Sequence, residues 1–319
     1  MDLITVILQV VLISMESALP LAFMFMGVYL VFRLLNDFDL TVDGAFPLGG
    51  ATAAVLLARG VHPIWATLIA VILGCLAGLA TGLMHIRLRI TLLLSGIISM
   101  IGLYTVNLRI MGRPNVALLN VPTVFSFADE YTGWSHGIVV VSFMLVLVGL
   151  VSAAMIYFLK TEVGLAIRAT GSNPTMVRSL GVNTAGVVVL CLIIANGLIS
   201  FSGALMAQDQ GFADISMGIG SIVAGIASIL LGEIIVRKPN RVFRGVIAIV
   251  VGTLFYRFVI TLALRFGMEP YDLRLFTALI LLFAISTPMW LRRVWQLPFV
   301  KRKAKTQREE PELARVTER

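Results

Sequence analysis

Nine apolar runs divide the chain, and each approaches the length needed to cross a lipid bilayer. They cover roughly residues 4–32, 41–59, 63–84, 90–111, 136–159, 184–207, 215–236, 243–265 and 272–291. A helix crossing ~30 Å of hydrocarbon needs about 20 residues. Backbone amides in lipid must find partners inside the chain, and a helix supplies them. The expected fold is therefore an all-α integral membrane protein with about nine transmembrane helices. Composition agrees, since the 319 residues are 59% hydrophobic and 13% charged, where a soluble domain is about a quarter charged. The first run lacks a basic leader and is too long for a signal peptide, so it reads as a retained span.

Basic residues set the expected orientation. With the C-terminus inside, the inner loops hold Arg33, Arg87, Arg89, Lys160, Arg168, Arg178, Arg237, Lys238, Arg241 and Arg244, ten in all. The outer loops hold five: Arg59, Arg109, Arg113, Arg265 and Arg274. The tail adds nine more inside, and the rule that inner loops are positive gives N-out, C-in. The net charge of +8 thus speaks to orientation, and no nucleic-acid partner is expected. Residues 1–291 read as the membrane domain, and 292–319 as a basic, disordered cytoplasmic tail able to touch anionic lipid. Cys75 and Cys191 fall in apolar runs, which suits small core residues better than a disulfide or metal site.

Residues 40–50, LTVDGAFPLGG, interrupt this pattern with an acid, a proline and three glycines. A helix starting near Pro47, capped by Asp43 or Thr41, and ending by Arg59 falls short of the bilayer core. The preceding DFDLTVDG must then occupy membrane depth as irregular backbone, which requires protein or a wet cavity around it. Such broken helices mark substrate paths in transporters. The plainer alternative is an ordinary loop with Asp43 in water. Asp43 and Phe46 head the candidate path. Glu16, at mid-span, is either helix–helix glue or part of that path. Asn107 and Asn196 fit interhelical hydrogen bonds and are also candidates for the path. Arg257 is either a counter-charge to Glu16 or a snorkelling cation.

Small residues recur at four-residue spacing, as Ala70, Gly74, Gly78 and Gly82, and as Gly220, Ala224, Ser228 and Gly232. Such stripes let helices approach closely in lipid. Residues 163–183, VGLAIRATGSNPTMVRSLGVN, form the longest inner loop before the tail. They read as two short helices: Leu165, Ala166 and Ala169 mark the first, GSNP the elbow, and Thr175 the cap of the second. This knob is either an amphipathic surface helix or a docking element. The chain has no GxxxxGK[ST] and no Cys/His metal set. No metal site or other cofactor is expected on it, and energy must come from a partner or an ion gradient.

EVGLAIRATGSNPTMVRSLGVN resembles the cytoplasmic loop of ABC importer permeases of the branched-chain amino acid and ribose superfamily. FDLTVDGAFPLGGATAA is similar to the Asp-Leu-Ser-Val-Gly stretch of its sugar permeases. Together with LLSGIISMIGLYTVNLRIMGRPN and ANGLISFSGALMAQDQGFADISMGIGSIVAGIASILLGE, these motifs resemble the tryptophan- or tyrosine-type branch. The resemblance reaches to about Met289. It implies a non-catalytic permease of the bacterial cytoplasmic membrane, with two copies pairing around a path for a small solute, an amino acid or related compound. A separate ATPase would carry ATP and magnesium and receive the knob near Arg168, Asn173, Pro174, Met176 and Gly181. An extracytoplasmic binding protein would deliver the solute. Where the sugar-type motif has Ser-Val-Gly, this chain has Thr41-Val42-Asp43-Gly44. The added acid suits a substrate ammonium or a helix cap.

Two other functions compete. A secondary transporter or channel driven by an ion gradient would use Glu16, Asp43 and Arg257 as a relay. An intramembrane enzyme fits worst, because no Ser-His or His/Asp set falls at one depth.

Overall fold

A computed structural model describes residues 3–119, 121–126, 136–236, 242–269 and 272–295. The first four residues of the expected tail, 292–295, are helical and continue the last helix; residues 296–319, the 237–241 cluster and the acids Asp129 and Glu130 lie outside the described residues. The first helix, α1 (Leu3–Tyr29), continues as a π-helical turn, Leu30–Leu35. After it come α2 (Val42–Ala58), α3 (Pro63–Leu88), α4 (Leu92–Met111), β1 (Asn115–Ala117) and α5 (His136–Lys160). Two short helices follow, α6 (Glu162–Ser172) and α7 (Pro174–Ser179). The chain then forms α8 (Thr184–Gln210), β2 (Phe212–Asp214), α9 (Ser221–Val236), α10 (Val242–Arg265) and α11 (Leu273–Trp295).

The helices follow the apolar runs closely. Six described helical stretches are long and apolar enough to cross a membrane, while α2, α9 and Leu275–Ala284 are shorter apolar helices. The fold is helical as expected, with one short addition: β1 and β2 form a two-stranded antiparallel ribbon, with Asn115 opposite Asp214. Two expectations need correction. Residues 215–220 are not helix but a turn leading into α9. α2 begins at Val42, so Pro47 lies inside the helix and Asp43 in its first turn.

Side-chain size, rather than polarity, sorts the faces. On α3, Ala70, Gly74, Gly78 and Gly82 are buried, while Ile64, Leu68, Ile72 and Leu83 are exposed. The small face presses on α8: a Cβ at Gly74 would meet Ser200 and Asn196, and one at Gly78 would meet Leu192. Helices sharing a lipid solvent gain no hydrophobic drive from each other, so close backbone packing replaces it. On α9 the packed set is Gly225, Ser228 and Gly232; Gly225 meets Phe25 and Val28 of α1, and Gly232 meets Ala248 of α10. The expected Gly220–Ala224 part of that stripe does not pack this way, since Gly220 precedes the helix and Ala224 faces a cavity.

These contacts reveal an exchange between halves. α2 runs parallel and α3 antiparallel to α8 (Ala53 with Ala204; Gly74 with Ser200). Likewise, α9 runs parallel and α10 antiparallel to α1 (Gly225 with Phe25 and Val28; Gly245 with Tyr29). α1 and α8 are themselves antiparallel, joined by Ser202 Oγ to the Pro20 carbonyl at 2.7 Å and by Cys191 Sγ to the Leu30 carbonyl at 3.6 Å. Each half thus lays its short helix and the following long one on the other half's first helix. From Ala18 to Tyr29 every residue of α1 is buried, as are Leu30 and Val31 of the π turn, as expected of a helix apolar on all sides at the centre of a bundle.

Gly49 has no room for a side chain, because a Cβ would strike the Ser200 carbonyl, whereas Gly102 faces open space. Gly49→Ala is expected to lower stability by about 1–3 kcal/mol through overpacking. Gly102→Ala is expected to leave it unchanged or slightly raised. Thermal unfolding of the two variants in detergent checks the contrast.

Candidate functional site

The site grows from the two places where the chain leaves the helix inside the bundle. The first is 36–41, which follows the π turn; Asn36 adopts a left-handed conformation (φ 57°) that ends it. The second is 215–220, which precedes α9. The two short helices meet N-terminus to N-terminus, and Asp43 lies between them. Its Oδ2 accepts from the Gly220 N–H at 3.0 Å and its Oδ1 from the Ile222 N–H at 3.1 Å. Each helix N-terminus carries roughly half a positive charge, so one carboxylate balances the pair. Gly218 sits against the Asp43 carbonyl, which Pro47 cannot bond because it lacks an N–H.

The rest of 36–44 is stitched to three other helices. Asp39, which is fully enclosed, accepts from the Thr41 N–H at 2.9 Å and from Asn196 Nδ2 of α8 at 3.0 Å. Thr41 Oγ1 contacts Thr81 Oγ1 of α3 at 3.0 Å, which in turn contacts Ser99 Oγ of α4 at 2.6 Å. Asn107 Nδ2 donates to the Gly44 carbonyl at 3.1 Å. The broken segment is therefore bedded in protein polar groups, as the absence of water in lipid requires.

This geometry reassigns several path residues. Asn107 and Asn196 are buried and bind the broken segment rather than lining a cavity. Asp43 fastens two helices together, with one amide hydrogen bond to each carboxylate oxygen. Glu16 lies on α1 beside Gly137 at the start of α5, away from the junction. No described ion pair joins it to Arg257; the described pair is Arg33–Glu233 at 2.7 Å. The three groups of the ion-relay reading are thus not brought together. Asp39 is the acid that the apolar-run pattern passes over. Its signal was an acid two residues before Thr41, the spacing of an Asx turn.

Phe46 lines a cavity of about 670 Å³ between α1, α9, α10 and α11, beside the junction. Gly220 and Ser221 form its wall at the junction, and Asp214 stands on the ribbon above. Partial burial works to raise the Asp214 carboxyl. Hydrogen bonds from the Ser216 side chain and backbone and from Asn115 outweigh it and hold the group below the usual carboxylate range.

At the other end of the bundle α6 and α7 form the expected knob, with a different internal logic. Its buried face is Gly164, Ile167 and Thr170, not Leu165, Ala166 and Ala169. The cap of α7 is Asn173, whose Oδ1 accepts from the Met176 N–H at 3.0 Å, not Thr175. Arg168 turns inward and donates to the Leu159 carbonyl at 3.1 Å and the Gly164 carbonyl at 3.3 Å, fastening the knob to α5. Pro174 and Met176 are exposed, and Gly181 ends the knob at φ 83°. Gly171 presses on Leu34 and Leu35 of the π turn, so knob and broken segment are in mechanical contact.

A family model described as "Branched-chain amino acid transport system / permease component" matches residues 10–286. The chain belongs to this permease family. It is 40% identical over 273 residues to the "Tyrosine transport system permease protein" of Clostridioides difficile (strain R20291), covering 86% of this chain and 89% of that one. It is 33% identical to "Uncharacterized protein RP368" of Rickettsia prowazekii (strain Madrid E), covering 88% and 98%. The "Galactofuranose transporter permease protein YtfT" of Escherichia coli (strain K12) is 25% identical, covering 71% and 70%. No solved structure gives a significant match. The permease is a multi-pass membrane protein and the non-catalytic component of an ABC-type transport system, whose ATPase is a separate partner. Its bacterial relatives point to the inner membrane.

Asp43→Ala should orphan the first amides of α9 and lower stability by about 1–3 kcal/mol. Asp43→Asn, which retains one acceptor oxygen, should lose less. Thermal unfolding of the purified permease gives the order; a wild-type melting temperature for Asp43→Ala would contradict the clamp.

Proposed function

We propose that the permease is the membrane-spanning subunit of an ATP-driven importer for a small amino acid or related solute. It crosses the membrane nine times, N-out and C-in, and pairs with a second copy. A cytoplasmic ATPase binding ATP and magnesium grips the knob, and an extracytoplasmic binding protein loads the opposite end. The relative named for tyrosine transport supports an amino-acid cargo.

The observation that carries this reading is the continuity from knob to junction. Leu165, Met176 and Leu180 are exposed apolar side chains on the knob, at 59%, 57% and 69% accessibility. An apolar cluster on a polar end of a membrane protein fits a protein partner. Behind it, Gly171 bears on Leu34 and Leu35, the end of the π turn from which 36–41 departs. That segment leads into Asp43 and so to the wall of the cavity. A push on the knob thus has a packed route of about ten residues to the cavity.

Met176→Asp with Leu180→Asp is expected to abolish ATP-driven uptake in proteoliposomes holding permease, ATPase and binding protein. Membrane insertion and the melting temperature should match wild type. Unimpaired uptake by this double variant would overturn the docking assignment.

Gly171→Leu tests the route itself. It is expected to preserve ATPase binding to the permease while uptake per ATP hydrolysed falls, on the order of tenfold for each ~1.4 kcal/mol of coupling lost. Wild-type stoichiometry would break the proposed route.

A further inference from the structure

One charged side chain of the cavity has no ion pair or hydrogen bond among the described residues. Arg257 lies on α10, eight residues before the helix ends at Arg265. That is ~12 Å in from the ribbon end at 1.5 Å per residue. Its side chain lines the cavity, and its Nε atom is enclosed with no hydrogen-bond partner among the described residues. The residue is partly buried; guanidinium keeps its charge in proteins, and enclosing part of it without a partner is costly. On the cavity wall Asp214 already accepts from Ser216 and Asn115, and at the junction Asp43 accepts from Gly220 and Ile222. No described ion pair joins an acid to Arg257. Tyr256, the neighbouring residue, pairs with Thr277 at 3.0 Å.

Apart from Gln210 and the polar groups already named, the wall is apolar and aromatic, with Phe25, Phe46, Met24, Met206, Met217 and Ile260. A cavity of about 670 Å³ falls in the range of small-molecule sites, which combine such walls with a few convergent polar groups. A guanidinium fork matches a carboxylate in two parallel hydrogen bonds. We propose that this cavity binds a small carboxylate with an apolar or aromatic body, held by Arg257 at its charged end. The site deepens the importer reading by naming the chemical class of the cargo, and it rests on that reading only for its part in transport.

The test is binding at Arg257 itself, without the ATPase. The purified full chain is treated with phenylglyoxal, and labelling of Arg257 is followed by peptide mass spectrometry, with the exposed Arg109 as reference. L-Phenylalanine, 3-phenylpropionate and 2-phenylethylamine are the probes. At about ten times their dissociation constants, the two carboxylates are expected to slow labelling of Arg257 on the order of tenfold, the fall in its unoccupied fraction. The amine should leave it unchanged, and Arg109 should respond to none of them. No slowing by either carboxylate, or equal slowing by the amine, would overturn the proposal. So would slowing by phosphatidylglycerol micelles alone, which would make the partner a lipid phosphate. Protection without ATP-driven uptake in proteoliposomes would sink the importer reading and leave this site standing. Uptake without protection would remove the site alone.

Discussion

A peptide group without a partner is costly to hold away from water, by roughly 2–7 kcal/mol on transfer scales. Among the described residues this chain leaves the helix inside its own bundle at 36–41 and at 215–220. Everything distinctive in the fold answers that constraint. Asp39, Thr41 and the Gly44 carbonyl take partners from α8, α3 and α4. Asp43 satisfies the start of α9. The polar residues conspicuous in an apolar sequence are mostly those that make two short helices possible. Their ends, rather than any dedicated catalytic group, create the hollow beside Phe46 and Ser221.

Holding this arrangement without a hydrophobic drive between helices demands close backbone contact. Gly49, Gly203, Gly218, Gly232 and Gly252 each lie where a Cβ would collide with a neighbouring carbonyl. The exchange of helices between halves multiplies such contacts, since α1 and α8 each receive one short and one long helix from the other half. The same logic reaches the knob, where Gly171 lets α6 bear on the π turn. Rigid contact at both ends of one short segment is what permits a displacement at the knob to reach the cavity.

Much of the architecture was legible in the sequence because hydropathy alone controls where helices start in lipid. The helix bounds follow the apolar runs, and the α3 stripe of Ala70, Gly74, Gly78 and Gly82 packs as its spacing demands. The knob was legible because Asn173-Pro174 can only punctuate a helix there. What escaped is whatever depends on partners distant in sequence. Asp43 reads equally as a cap of its own helix or as a ligand group, and its real partners lie 177 and 179 residues away. Asn196 could not be assigned to the broken segment without knowing that α8 crosses beside it. Arg168 looks like a surface cation until α5 is seen to end over it. The relation between the halves is invisible because it resides in helix direction, not in residue identity.

The long reach of those bonds has a consequence for biogenesis. Oδ2 of Asp39 waits for a residue synthesised 157 positions later, and the Asp43 carboxylate waits for one 177 positions later. Until α8 and α9 emerge from the ribosome, Asp39 holds only the Thr41 N–H and the Asp43 carboxylate has neither of its native amide partners. The nascent first half must be sheltered by the insertion machinery or kept near the water interface. Only the arrival of the second half can draw it to its final depth.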